Sequence, residues 1–128
     1  MAFALEKLKK LKDRSEEGVW VELLDIETGE PSGGFMLLIG AESAEFAKIT
    51  HRMANAKAKR RGPMTSETAE ADTLDLLAAC TMDWKGIEDA GEPVPFSREA
   101  ARELYKAYPS LRAQVDRAIG DRAAFLRD

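Results

Sequence analysis

The 128 residues contain one histidine and one cysteine, and neither has the neighbours that would make it reactive. His51 has Lys48 and Arg52 within a helical turn and no carboxylate three or four positions away to orient it as a general base, so it reads as a solvent-facing side chain. Cys80 falls on the apolar stripe of its segment, where a free thiol behaves as a small hydrophobe. A single cysteine makes no internal disulfide, and one histidine with one cysteine makes no zinc cluster. Glu67, Glu70, Asp72 and Asp75 could be imagined as metal ligands, but they lie on a continuous helical pattern without the glycine-punctuated loop that calcium sites use. They read as a solvated acidic face.

The run KAKRR holds Lys57, Lys59, Arg60 and Arg61, with Arg52 one to two turns earlier. Phosphate binding is one chemistry open to it, yet a nucleic-acid surface is expected to interleave aromatic rings with its bases, and none occurs here. Cations at the negative end of a helix dipole explain the run more simply, with docking to an acidic partner as the second option. No residue is expected to be catalytic, to bind a cofactor or to hold a metal, and the protein is expected not to be an enzyme.

The remaining feature is MDWKGIEDAGEPVPFS, residues 82–97. It carries no nucleophile and no phosphate-cradling glycine run. Trp84 and Phe96 flank the polar turn EDAGEP, Gly91 is suited to a positive φ, and Pro93 and Pro95 stiffen the exit. Trp84, Lys85, Gly86, Ile87, Pro95 and Phe96 thus form a candidate structural corner or, from the same residues, a partner-binding surface.

The elements around these residues follow from spacing. Leu5, Leu8 and Leu11 predict a short basic amphipathic helix over residues 1–14. GVWVELLDIETGE and GGFMLLIG, joined by a Gly- and Pro-containing turn, predict a β-hairpin over residues 18–40. In its first strand Val19, Val21 and Leu23 share one face, and Trp20, Glu22 and Leu24 the other. Two strands are marginal alone, so the hairpin must pack on helices or on another subunit.

From residue 43 to 128 the pattern is helical, apart from a loop at 83–96. Ser43 can cap the first of these helices, whose stripe is Phe46, Ile49, Met53 and Ala56, and Gly62-Pro63 ends it. Thr65 or Ser66 caps the next, and Ser97 a third with Leu104, Tyr105 and Tyr108 on its apolar side. Pro109 opens a last helix whose stripe from Leu111 to Phe125 is broken by Arg122. The expected fold is a single α+β domain, mostly α-helical, with an N-terminal β-hairpin followed by about four helices.

With 45% hydrophobic and 33% charged residues, and no apolar run approaching the roughly 20 needed to cross a bilayer, the chain falls in the soluble globular class. Its first residues lack a secretory signal pattern. The net charge of −4 argues against general nucleic-acid binding, but the charge is segregated. Residues 46–65 hold only bases, and the acids of residues 66–92 face the single base Lys85. These stretches are expected to meet within the chain or between copies of a homo-oligomer.

The hairpin VELLDIETGEPSGGFMLLIGAESAEF, followed by helices and by WKGIEDAGEPVPFSREAARELYKAYPSLRAQV, resembles the tail assembly chaperones of long-tailed bacteriophages and prophages. The likeness rests on Trp84, Lys85, Gly86, the acids Glu88 and Asp89, Pro95, Phe96, Ser97 and Pro109, in that order. It implies a non-enzymatic protein of the host cytoplasm, absent from the mature virion. It further implies that this protein binds the tape measure protein, keeps it soluble and promotes polymerisation of the tail tube protein. Neither nucleic acid, membrane nor cofactor is expected. The alternative is a structural or adaptor protein, such as a head-tail connector component, that stays in the particle.

Overall fold

The computed structural model of the protein describes residues 2–60 and 62–127. The chain opens on a helix, α1 (Leu5–Glu17), and then forms the expected hairpin from β1 (Val19–Leu24) and β2 (Pro31–Leu38). Two helices follow, α2 (Ala44–Lys59) and α3 (Ser66–Cys80). Then come β3 (Thr81–Lys85), the two-residue strands β4 (Glu88–Asp89) and β5 (Glu92–Pro93), and the helices α4 (Arg98–Ala107), α5 (Pro109–Gly120) and α6 (Arg122–Leu126).

The α+β character holds, but the expected plan of an N-terminal hairpin followed by about four helices is corrected. A helix precedes the hairpin, five helices follow it among the described residues, and there are two antiparallel sheets. The physical reason lies in β3. A hairpin alone leaves a central strand half unpaired, and TMDWK, with a β-branched residue and an aromatic, supplies the missing neighbour by pairing with β2. The sheet order is β1-β2-β3, so β2 is covered on both edges. The segment expected as a loop over 83–96 holds the end of β3 and the β4–β5 hairpin.

Register places Val21, Met36 and Trp84 in one row across the sheet, and these side chains point at the helices. Met36, Leu38 and Trp84 join Leu74, Leu77 and Cys80 of α3, Ala101 and Tyr105 of α4, and Val115 and Ile119 of α5 in one core. The other face carries the row Glu22, Phe35, Lys85 and the row Trp20, Leu37, Asp83. There the Lys85 ammonium sits 4.3 Å from the Trp20 ring centroid and 5.0 Å from that of Phe35. The period of two seen in the sequence of β1 is therefore the division between core and surface.

Helix starts are local and follow the capping residues. Ser43, Thr65 and Ser97 each accept a hydrogen bond from the backbone N–H three residues on, from Phe46, Thr68 and Ala100. The last helical stretch, expected to be continuous, breaks at Asp121, whose carboxylate accepts from the N–H groups of Ala123 and Ala124 and so starts α6. Arg122 is thereby the first residue of a new helix and reaches Glu42 at 2.9 Å, instead of interrupting an apolar stripe. Tyr108, expected on the apolar side of α4, lies at the α4–α5 junction and is 58% exposed.

Helix α1 starts and ends a few residues later than expected and packs through few buried residues. It buries Leu11 and Ser15, whereas Leu5 and Leu8 face solvent. Ser15 Oγ is buried beside Gly40 with no hydrogen-bond partner. The Ser15 carbonyl accepts from Gly40 N–H at 3.0 Å, which ties α1 to the end of β2.

Candidate functional site

The corner residues separate into two environments. Trp84 is buried, its indole N–H donates to the Val94 carbonyl at 2.7 Å, and its ring meets Phe96 edge-to-face at 5.0 Å. Ile87 is half-buried and its carbonyl accepts from Val94 N–H at 2.9 Å, closing the base of the β4–β5 hairpin. Gly86 has φ +70, and a Cβ there would fall on the Gly33 carbonyl oxygen. Trp84, Gly86, Ile87 and Phe96 thus fasten the loop to the sheet, while Lys85 lies on the opposite face over Trp20 and Pro95 is exposed. Of the two readings open for these residues, the geometry favours the corner: Trp84 has almost no surface to offer a partner.

The side chains with reactive potential are placed out of reach of solvent or of one another. Burial pushes the Cys80 thiol up to about 12, with Arg98 opposing the shift and Glu45 adding to it. A thiol held protonated is a poor nucleophile. Burial likewise pushes the Tyr105 phenol up to about 12 against the hydrogen bond it shares with Thr81 at 2.8 Å. Thr81 also donates to the Leu77 carbonyl at 2.8 Å, so this buried polar pair is satisfied and ties α3, β3 and α4 together. His51 is exposed on α2. Among the described residues no three His, Cys, Asp or Glu side chains converge as a metal site.

The acidic face of α3 is not simply solvated. Asp72 pairs with Arg60 at the end of α2 at 3.2 Å, Asp75 with Arg102 of α4 at 2.6 Å, and Glu70 with Arg112 of α5 at 2.8 Å. Each is a partly exposed pair of about 1 kcal/mol or less. Together they direct three arginines onto one helix. Of the expected charged interface, Arg60 is therefore engaged within the chain, while Arg52, Lys57 and Lys59 are exposed without an ion pair among the described residues. Arg61 lies outside the described residues.

A different surface, not recognised in the sequence, is an apolar opening beside the end of β1. Leu23, Leu24 and Ile26 at the end of β1 face Tyr108, Pro109, Leu111 and Gln114 across a groove of about 360 Å³. Ile26 is 82% exposed and Leu24 48% exposed. One side chain sets the width of the groove. The Gln114 carboxamide accepts from Leu24 N–H at 2.8 Å and donates to the Leu24 carbonyl at 3.0 Å, taking the place of a neighbouring strand residue. Its residues are drawn from segments some 80 positions apart, so the only local signs were an isoleucine past the end of the strand and a tyrosine before Pro109.

No curated protein and no solved structure matches the chain. A family model described as YdaY prophage protein matches residues 41–127, which spans α2 to α6 with β3, β4 and β5. That match covers most of the chain, and the protein belongs to the YdaY prophage protein family.

Proposed function

We propose that this prophage protein is a tail assembly chaperone that binds the tape measure protein, keeps it soluble in the host cytoplasm and promotes polymerisation of the tail tube protein around it. The observation that carries the reading is the exposed apolar groove between the end of β1 and the α4–α5 junction. A long helical client presents its apolar residues as a stripe, and a groove with aliphatic walls and one aromatic rim takes such a stripe by the helix-in-groove mode. Gln114 holds the groove open through two hydrogen bonds, which lowers the cost of ordering it on binding. Membership of a prophage family and the resemblance carried by Trp84, Lys85, Gly86, Pro95 and Phe96 support the same reading.

The test is co-expression with the tape measure protein of the same prophage, followed by capture on a tag carried by the chaperone. The tape measure protein is expected to become soluble and to co-purify. The double variant I26D/Y108S is expected to weaken binding by more than tenfold, the usual consequence of removing central apolar anchors, with an unchanged melting temperature because both side chains are largely exposed. Retained capture by the double variant would move the site elsewhere. Stoichiometric recovery of the protein from purified virions would overturn the chaperone reading in favour of a head-tail connector or other adaptor.

A further inference from the structure

Beyond the internal ion pairs of α3, two exposed charged surfaces of opposite sign stand out. The first is a stripe on α2. Lys48, Arg52 and Lys59 recur at i, i+4 and i+11, all exposed, with Asn55 between them and no acid anywhere from Phe46 to Thr65. The stripe is about 16 Å long at the helical rise per residue. Lys48 and Arg52 are a like-charge i,i+4 pair, which disfavours the helix by a few tenths of a kcal/mol. None of the three forms an ion pair among the described residues, whereas Arg60, Arg102, Arg112 and Arg122 all do.

The second surface is the tip of the β4–β5 hairpin. Its turn is Ala90-Gly91, both with positive φ (52° and 83°), the geometry of the tight turn that matches strand twist. Register sets Asp89 directly opposite Glu92, with Glu88 beside them. Like charges facing each other across a ladder are destabilising, and no base pairs with any of the three among the described residues. The hairpin is nonetheless rigid, because Val94 N–H closes its base on the Ile87 carbonyl and Trp84 anchors the following turn. Three carboxylates are therefore presented at a fixed spacing on an exposed point, in an arrangement that is unfavourable for the chain by itself.

We infer that the α2 stripe of one copy binds the β4–β5 tip of a second copy, each surface relieving the repulsion that the other carries. The contact joins two different patches, so it is head-to-tail, and it leaves a free stripe at one end and a free tip at the other. Such a contact propagates into short chains or closes into a ring. A polyanion such as nucleic acid is disfavoured as the occupant. Its charge is continuous, and the acids Glu67, Glu88, Asp89, Glu92, Glu99 and Glu103, all exposed, would repel whatever of it ran beyond the stripe.

Sedimentation velocity of the whole chain at tens of micromolar reads this directly. In 0.05 M salt the protein is expected to distribute over dimers and larger species, and in 1 M salt, where the Debye length falls to about 3 Å, to run as a monomer. K48E/R52E and D89R/E92R are each expected to be monomeric at low salt, with the wild-type circular dichroism, since all four side chains are exposed. Mixed one to one, they offer two complementary contacts, the acidified stripe of the first with the basic tip of the second and the unchanged acidic tip of the first with the unchanged basic stripe of the second. The mixture is expected to regain oligomers in which the two variants alternate, although each alone is monomeric. A monomer at both salt concentrations, a salt-independent oligomer, or a mixture that stays monomeric would each overturn the inference. None of these results bears on capture of the tape measure protein through the groove, so the two readings fail separately.

Discussion

Replacing Trp84 by alanine is expected to lower the unfolding free energy by about 3–5 kcal/mol, measured by urea denaturation at equilibrium. The indole fills the junction between sheet and loop, is 6% exposed, and contributes three interactions that vanish together. These are its area against Met36 and the α4 side of the core, its edge-to-face contact with Phe96, and the hydrogen bond to Val94. The lost Nε1 donor also strands the Val94 carbonyl beside a new cavity, which adds to the transfer cost of the ring. A stability equal to that of the wild type, coupled to loss of partner capture, would turn the ring from a core residue into a contact residue.

Gly86→Ala is expected to cost about 3 kcal/mol, a large effect for the addition of one methyl group. A left-handed residue other than glycine costs about 1–2 kcal/mol, and steric overlap with a fixed neighbour adds about 1–3 kcal/mol. Both apply here: φ is +70, and the obstacle is the Gly33 carbonyl oxygen, a backbone atom held in the hairpin. Gly91→Ala is the internal control, since its φ is +83 but nothing lies within 4 Å of the added carbon. It is expected to show the backbone share alone, about 1 kcal/mol. Equal losses at the two positions in thermal or urea melts would mean that Gly86 and Gly33 are not in contact.

The parts of the fold that were legible in the sequence are those written within one turn of chain. Ser43 and Ser97 announce their helices because a cap bonds to an N–H three residues away, and Gly62-Pro63 ends α2 for equally local reasons. Trp84 and Phe96 were readable as the anchors of one loop because two large aromatics flank a polar turn. The third strand was not readable. TMDWK continues directly from α3, and what makes it a strand is β2, more than forty residues earlier. Charge segregation was visible as composition, but which acids are consumed was not: Asp72, Asp75 and Glu70 reach arginines on three different helices. The groove lay furthest from view, since Leu24 and Gln114 meet only after the whole chain has folded.

The lightly held first helix has a thermodynamic consequence. Burying Leu11 contributes about 2 kcal/mol, while a buried hydroxyl without a partner, as at Ser15, costs about 1–3 kcal/mol. These terms nearly cancel, so the polar ties of α1 matter, among them the Ser15–Gly40 backbone bond, the bond from Arg14 to the Arg127 carbonyl and the bond from Ala44 N–H to Glu16. Gly18, at φ +89, is a natural pivot between α1 and β1. The helix is therefore expected to open below the free energy of global unfolding with the β1-β2-β3 ladder intact, which native-state hydrogen exchange would read as earlier exchange of the α1 amides than of the ladder. Each opening would uncover Leu11 and the side of α6 on which α1 packs, so an apolar surface sealed in the closed form would become available at the far end of the chain from the segment that hid it.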